Sequence, residues 1–154
     1  MNESRPADPW VIRTDFSSDS LWEEVQALVA TPLTFGGRSY CATVWYVSDM
    51  KDRGKAAAEV VRSLPEDYPY RFCLVVDRDC INDVEHSLLV VGFYPSDESS
   101  WERAPAETPL EEIVTFRVVP AAVVSVTDNL SIANMDFEDF LNTVDDDGVF
   151  RGPH

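Results

Sequence analysis

Three aspartates stand just behind three apolar runs. Asp15 follows Trp10-Val11-Ile12-Arg13-Thr14, Asp49 follows the stretch from Tyr40 to Val47 across Ser48, and Asp77 follows Arg71-Phe72-Cys73-Leu74-Val75-Val76. If these runs are parallel strands of one sheet, the three carboxylates share its carboxyl edge, where open α/β sheets bind ligands. Neighbouring strands lie about 4.8 Å apart, which would set adjacent carboxylates about 5–6 Å apart. At an effective dielectric near 20 they would repel by about 3 kcal/mol. A cluster of that kind calls for a cation, a basic side chain or a proton. With Asp79 beside it, the set Asp15, Asp49, Asp77 and Asp79 is a candidate oxygen-ligand site for Mg²⁺, the chemistry of phosphoryl-transfer and hydrolytic enzymes. The plainer reading is that these aspartates end strands and cap helices, with Arg13 and Arg117 available to pair with them. A phosphoacceptor arrangement would also want a lysine at this edge, where the fifth run ends in Val119-Pro120.

Other catalytic signatures do not occur in the sequence. There is no G-x-S-x-G elbow, no Walker A loop and no G-x-G-x-x-G. His86 is the one histidine away from the end of the sequence, and by type it reads as a loop or strand-edge residue. Asp145-Asp146-Asp147-Gly148 lacks the alternating acids and the glutamate at position twelve of a calcium loop. The expected cofactor is therefore none, with Mg²⁺ as the alternative, and the reading leans away from an enzyme.

Charge points to a different class of function. Twenty-eight Asp and Glu against twelve Lys and Arg give a formal net charge of −16. That sign disfavours nucleic acid, which needs a basic stripe, and anionic membranes; it favours a basic protein partner. From Asp136 to Asp147 there are six carboxylates and no basic residue. A helix capped by Asp136 would turn Phe137 and Phe140 to the core and leave Glu138 and Asp139 outward. Glu138, Asp139, Asp145, Asp146 and Asp147 are thus candidate partner-binding residues, set against the ordinary behaviour of charge runs as solvated faces. Trp101 is a further candidate anchor, for such a partner or, as a second alternative, for a place as subunit of a larger assembly, because it stands alone in a polar stretch and exposed Trp is favoured at interfaces. Asn129 and Asn134 bracket a segment that reads either as a recognition loop or as a tight, internally hydrogen-bonded connection.

The elements that must position these residues follow from periodicity. Leu21, Trp22, Val25, Leu28 and Val29 form one helical face, with Ser18, Asp19 or Ser20 as cap. Lys55 to Leu64 reads as a second helix. Leu88 to Tyr94 and Ile113 to Val119 are the fourth and fifth strands, and Val149-Phe150 a small closing one. The predicted fold is α/β or α+β: a mixed sheet of about five strands, the first three parallel through a βαβαβ path and the last two antiparallel, with helices packed on it. Residues 1–154 read as one domain, with a flexible extension over 1–9 and a long mobile loop over 95–109. The cysteine count is odd, with no C-x-x-C; Cys41 and Cys73 lie in apolar runs and are expected in the core. A reducing, cytoplasmic setting is expected, with no signal peptide and no apolar run of the roughly 18 residues that a membrane span needs.

Val11-Ile12-Arg13-Thr14-Asp15-Phe16, Glu85-His86-Ser87-Leu88-Leu89, Asn129 to Phe137 (Asn-Leu-Ser-Ile-Ala-Asn-Met-Asp-Phe) and Phe150-Arg151-Gly152 together resemble a family of small acidic, mostly actinobacterial proteins, the domain of unknown function 6924. These pieces span almost the whole chain, and the asparagine-rich one is the most specific. The resemblance implies a bacterial cytosolic setting and no mechanism. One departure is Ser87, where the resemblance leads one to expect proline.

Overall fold

The computed structural model describes residues 7–152; the greater part of the extension expected over 1–9 lies outside them. In chain order the elements are β1 (Trp10–Arg13), α1 (Asp19–Ala30), β2 (Leu33–Phe35), β3 (Arg38–Tyr40), β4 (Trp45–Val47), α2 (Ala57–Arg62), β5 (Phe72–Val76), α3 (Arg78–Asn82), β6 (Leu88–Gly92), β7 (Val114–Val118), α4 (Val123–Ser131), α5 (Phe137–Leu141) and β8 (Val149–Phe150). Six strands form one mixed sheet in the order β4-β1-β5-β6-β7-β8. β4, β1 and β5 are parallel neighbours; β6 and β7 each run antiparallel to the strand before, and β8 returns parallel to β7.

Two local readings are corrected. The run from Tyr40 to Val47 is not one strand: only Trp45–Val47 joins the main sheet, while Arg38–Tyr40 pairs with Leu33–Phe35 in a separate two-stranded hairpin. Gly36 and Gly37 make its turn with φ of 60° and 78°, the pair of positive values that a two-residue hairpin loop requires. Cys41, expected in the core, is exposed beyond that hairpin, whereas Cys73 is fully buried. The sheet also has six strands, not five, because β8 joins its edge.

Alternation along the strands explains the layering. Val11, Phe72, Leu74, Val76, Leu88, Val90, Phe116 and Val118 face α1, α4 and α5, whose Trp22, Val25, Val126, Leu130 and Phe140 complete one core. Ile12, Cys73, Val75, Val91 and Phe93 face the other way, onto Val60, Val61 and Leu64 at α2 and onto Tyr68. β5 is buried at every position, which is why it reads as an unbroken apolar run. Burial pushes the Cys73 thiol up to about 12 and raises the Tyr68 phenol well above its ordinary value. The Tyr68 hydroxyl donates to the Phe72 carbonyl at 2.8 Å and accepts from the Trp10 amide at 3.1 Å.

Helix starts follow their caps. Of the three candidates Ser18 is the cap of α1, its Oγ accepting from the Leu21 amide at 3.2 Å. Asp136 stands before α5, and its amide donates to Asp139 at 2.9 Å. The 95–109 stretch carries short 3-10 turns at Glu98–Ser100 and Pro105–Glu107. It is tied to the body where Arg62 Nε donates to the Thr108 carbonyl and Arg71 Nη1 to that of Arg103, both at 3.1 Å. Among the described residues, no helix is long and apolar enough to cross a membrane.

Candidate functional site

Parallel strands place Asp15 and Asp77 behind the carboxyl ends of β1 and β5, which are adjacent. The chain leaves β1 toward β4 on one side and leaves β5 toward β6 on the other. The gap between β1 and β5 is therefore a topological switch point, the place where such sheets open a crevice. A crevice of 750 Å³ is present there, and Asp15, Asp77 and Asp79 line it. Asp49, the remaining member of the predicted set, is not among its lining residues.

The carboxylates are already engaged. Asp77 takes a two-pronged ion pair from Arg117 on β7, Nη2 to Oδ2 at 2.6 Å and Nη1 to Oδ1 at 3.1 Å, and also caps α3 through the Cys80 amide at 3.0 Å. Arg117 reaches Asp79 as well, at 3.5 Å, and donates to the Ser87 carbonyl at 3.0 Å. Asp15 accepts from the Ser17 amide at 2.9 Å and from the Ser17 hydroxyl. Burial works to raise its pKa, but those hydrogen bonds and the nearby Arg78 and Arg13 charges outweigh it and hold the carboxyl below its ordinary value. Uncompensated neighbouring carboxylates would have raised it. Asp49 caps the next turn by accepting from the Lys51 amide at 3.0 Å. Arg13, only 4% exposed, donates to Asp19 at 2.7 Å and lies 4.4 Å from the Phe16 ring centroid. Among the described residues, no group of three or more His, Cys, Asp or Glu is arranged to hold a metal ion. Of the four aspartates offered as a Mg²⁺ site, Asp77 and Asp79 are engaged by Arg117, Asp15 by Ser17 and Asp49 by the turn that it caps.

A second concavity lies at the opposite end of β6. It encloses 570 Å³, and its walls come from Gly92, Tyr94, Trp101, Leu130, Met135 and Phe137, with Asp136 and Glu138 also on its lining. Trp101 is 45% exposed. It stands at the end of a chain of aromatic rings that runs through Tyr94, Phe137, Phe116, Phe140 and Phe150, with successive centroids 5.0–6.2 Å apart. The Arg71 guanidinium lies 5.7 Å from the Trp101 centroid. Two residues decide this geometry. Gly92 leaves room for Phe137, since a Cβ there would come within 2.7 Å of the ring. Ala133 turns the chain between α4 and α5 with φ of 55°, a left-handed conformation that costs a residue with a Cβ roughly 1–2 kcal/mol.

The remaining candidates fall on either side of this groove. Asn129 and Asn134 are the internal brace of the connection that forms one wall. Asn134 Nδ2 donates to Asn129 Oδ1 at 2.8 Å, Asn129 Nδ2 donates to the Ser125 carbonyl at 2.7 Å, and the Asn129 carbonyl accepts from the Asn134 amide at 3.0 Å. They shape the wall and are not among the residues lining the cavity; Ala133 and Met135 between and beside them are. Glu138 is on the rim and exposed, and Asp139 is exposed on the same helix. Asp145 and Asp147 are drawn elsewhere. Arg151 donates to each at 2.7 Å and takes Glu85 at 2.7 Å with the same guanidinium, which closes the strap after β8 onto the loop before β6. Asp146 is exposed beside them.

The chain belongs to the family described as domain of unknown function (DUF6924). The match covers residues 8–153. No curated protein and no solved structure matches it. Within this DUF6924 domain, sequence reasoning had found Trp101, Glu138 and the asparagine segment separately, without placing them around one cavity. It had missed Tyr94 and Met135 as groove residues and Arg53 and Arg78 as crevice residues. A signal for Tyr94 existed in the sequence: it is the last aromatic of the fourth apolar run, just before Pro95.

Proposed function

We propose that this domain is a non-catalytic binding module that docks a segment of a basic protein partner. An apolar anchor of that partner enters the groove beneath Trp101, and its Lys or Arg residues lie against the acidic rim. The observation that carries this reading is the groove itself: an aromatic floor formed by Trp101, Tyr94 and Phe137, edged by Asp136 and Glu138 on a chain of net charge −16. A half-exposed Trp beside an apolar hollow is the kind of residue that anchors interfaces, and the opposite charge speeds and selects the encounter. Arg117 pairing with Asp77 and Asp79 weighs against a metal-dependent enzyme as the alternative. The three free cysteines suit a reducing, cytoplasmic setting.

The test uses labelled peptides in which one Trp is flanked by arginines, compared with the same peptide flanked by glutamates and with one whose Trp is replaced by Ala. The basic peptide with its anchor should bind, and its affinity should fall steeply as salt rises from about 0.05 M to about 0.3 M. Trp101→Ala and Glu138→Lys should each weaken it about tenfold, the scale of a central anchor or a reversed rim charge. Equal binding of the glutamate peptide, or indifference to Trp101→Ala, would sink the proposal.

A further inference from the structure

The switch-point crevice is close to charge-balanced in a molecule of net −16: Asp15, Asp19, Asp77 and Asp79 on its lining stand with Arg53, Lys55 and Arg78. Its four lining carboxylates are all occupied: Asp15 by Ser17, Asp19 by Arg13, and Asp77 and Asp79 by Arg117. Lys55 on its wall is tied to the buried Asp52 at 2.9 Å and to Ser63 at 3.1 Å. Two further cations line the crevice, Arg53 and Arg78, and both are exposed. Neither side chain makes a hydrogen bond or an ion pair among the described residues, and the Arg78 charge acts on Asp15 from a longer distance. Thr14, at the end of β1, is 5% exposed and lines the same space, and its side-chain hydroxyl has no hydrogen-bond partner among the described residues. Phe16 and Met50 give the wall an apolar part. Gly54, at φ 73°, donates its amide to the Thr14 carbonyl at 2.9 Å and so holds the Arg53 turn against the end of β1.

We infer that this crevice binds a small organic anion. Its phosphate or carboxylate would be met by Arg53, Arg78 and the Thr14 hydroxyl, and its apolar body would rest on Phe16 and Met50. Guanidinium groups suit either head because their planar fork matches two anionic oxygens. The aspartates hold ion pairs or hydrogen bonds with Arg13, Arg117 and Ser17, while the exposed guanidinium groups of Arg53 and Arg78 keep their donors for an incoming anion. The site is separate from the Trp101 groove, shares no lining residue with it, and stands or falls independently of the partner reading.

The experiment titrates the full chain with four probes built on one ring: phenyl phosphate, benzoate, phenol and benzylamine. Binding is followed by calorimetry and by the thermal midpoint, which a ligand of the native state raises. Phenyl phosphate or benzoate should bind and raise the midpoint, and which of the two binds more tightly assigns the head group. Phenol and benzylamine should not. Arg53→Gln and Arg78→Gln should each weaken the bound anion by about tenfold or more, the loss expected for a charged hydrogen bond. Arg38→Gln, in the separate hairpin, should leave it unchanged. Benzylamine binding as tightly as the anions would show that the aspartates govern the crevice and would overturn the inference. So would anion binding unaffected by both arginine changes, or no anion binding at millimolar concentration.

Discussion

Gly92 carries more of the groove than its size suggests. It closes β6 opposite Phe72 and Val114, and the Phe137 ring lies where a Cβ would be, with three ring carbons at 2.7–2.9 Å. That ring cannot easily retreat, because Phe116 and Tyr94 flank it at 5.0 and 5.7 Å. Gly92→Ala is therefore an overpacking change and should cost about 1–3 kcal/mol. In urea the midpoint should fall with an unchanged slope, and the same variant should blunt peptide docking. Retained stability would mean that Phe137 has another place to go. Ser87 offers a second lesson at this scale. Its amide and hydroxyl both donate to Asp83 Oδ2, at 3.1 and 2.8 Å, and a proline there would have no amide hydrogen to give.

Among the elements, the strap after β8 is held most visibly by charge. Arg151 gathers Glu85, Asp145 and Asp147, and its hydrogen bonds hold the Glu85 and Asp147 carboxyls below their ordinary values. The sign follows. A depressed carboxyl stabilises the folded state above the pKa it has when unfolded, and that contribution is lost as pH falls through its folded value. The clamp should therefore act fully at neutral pH and fade below about pH 4. Arg151→Gln should lower the thermal midpoint at pH 7, while wild type and variant converge in acid. An equal gap at pH 7 and pH 3 would show that Arg151 acts through packing instead. Because the clamp is exposed, salt should narrow the gap at neutral pH too. A similar logic accounts for α3, a helix of five residues that propensity alone would not sustain. Asp77 caps it, and Cys80 and Ile81 bury its inner side.

For the molecule as a whole, self-repulsion is the dominant long-range term. At net −16, raising ionic strength from about 0.01 M to about 0.1 M shortens the screening length from about 30 Å to about 10 Å. Repulsion spread over the whole surface should weaken more than the short ion pairs do, so the thermal midpoint should rise by a few degrees. A fall would show that pairs such as Arg117 with Asp77 govern stability. The charge is also less uniform than its sum. The switch-point crevice is balanced by arginines, the Asp145 and Asp147 end is clamped by Arg151, and the Asp136 to Asp139 rim faces the groove with the least compensation.

Most elements could be read from the sequence because each depends on neighbours along the chain. The apolar run at Phe72–Val76 and the 3.6 spacing from Trp22 to Val29 are local signals, and so these apolar faces follow from the sequence without any distant contact. The run from Tyr40 to Val47 misled because β-propensity does not say which strand a residue will pair with; that depends on partners distant in sequence. The candidate site was legible only in pieces, since Trp101, Glu138 and Asp77 each declare a chemistry but not a neighbour. Arg117 meets Asp77 across 40 positions and Arg151 meets Glu85 across 66. Folding alone decided that Asp77 and Asp79 at the aspartate edge meet Arg117 and that Trp101, Phe137 and Glu138 share one hollow, because side-chain charges and rings acquire partners only when β5, β6 and β7 are laid side by side.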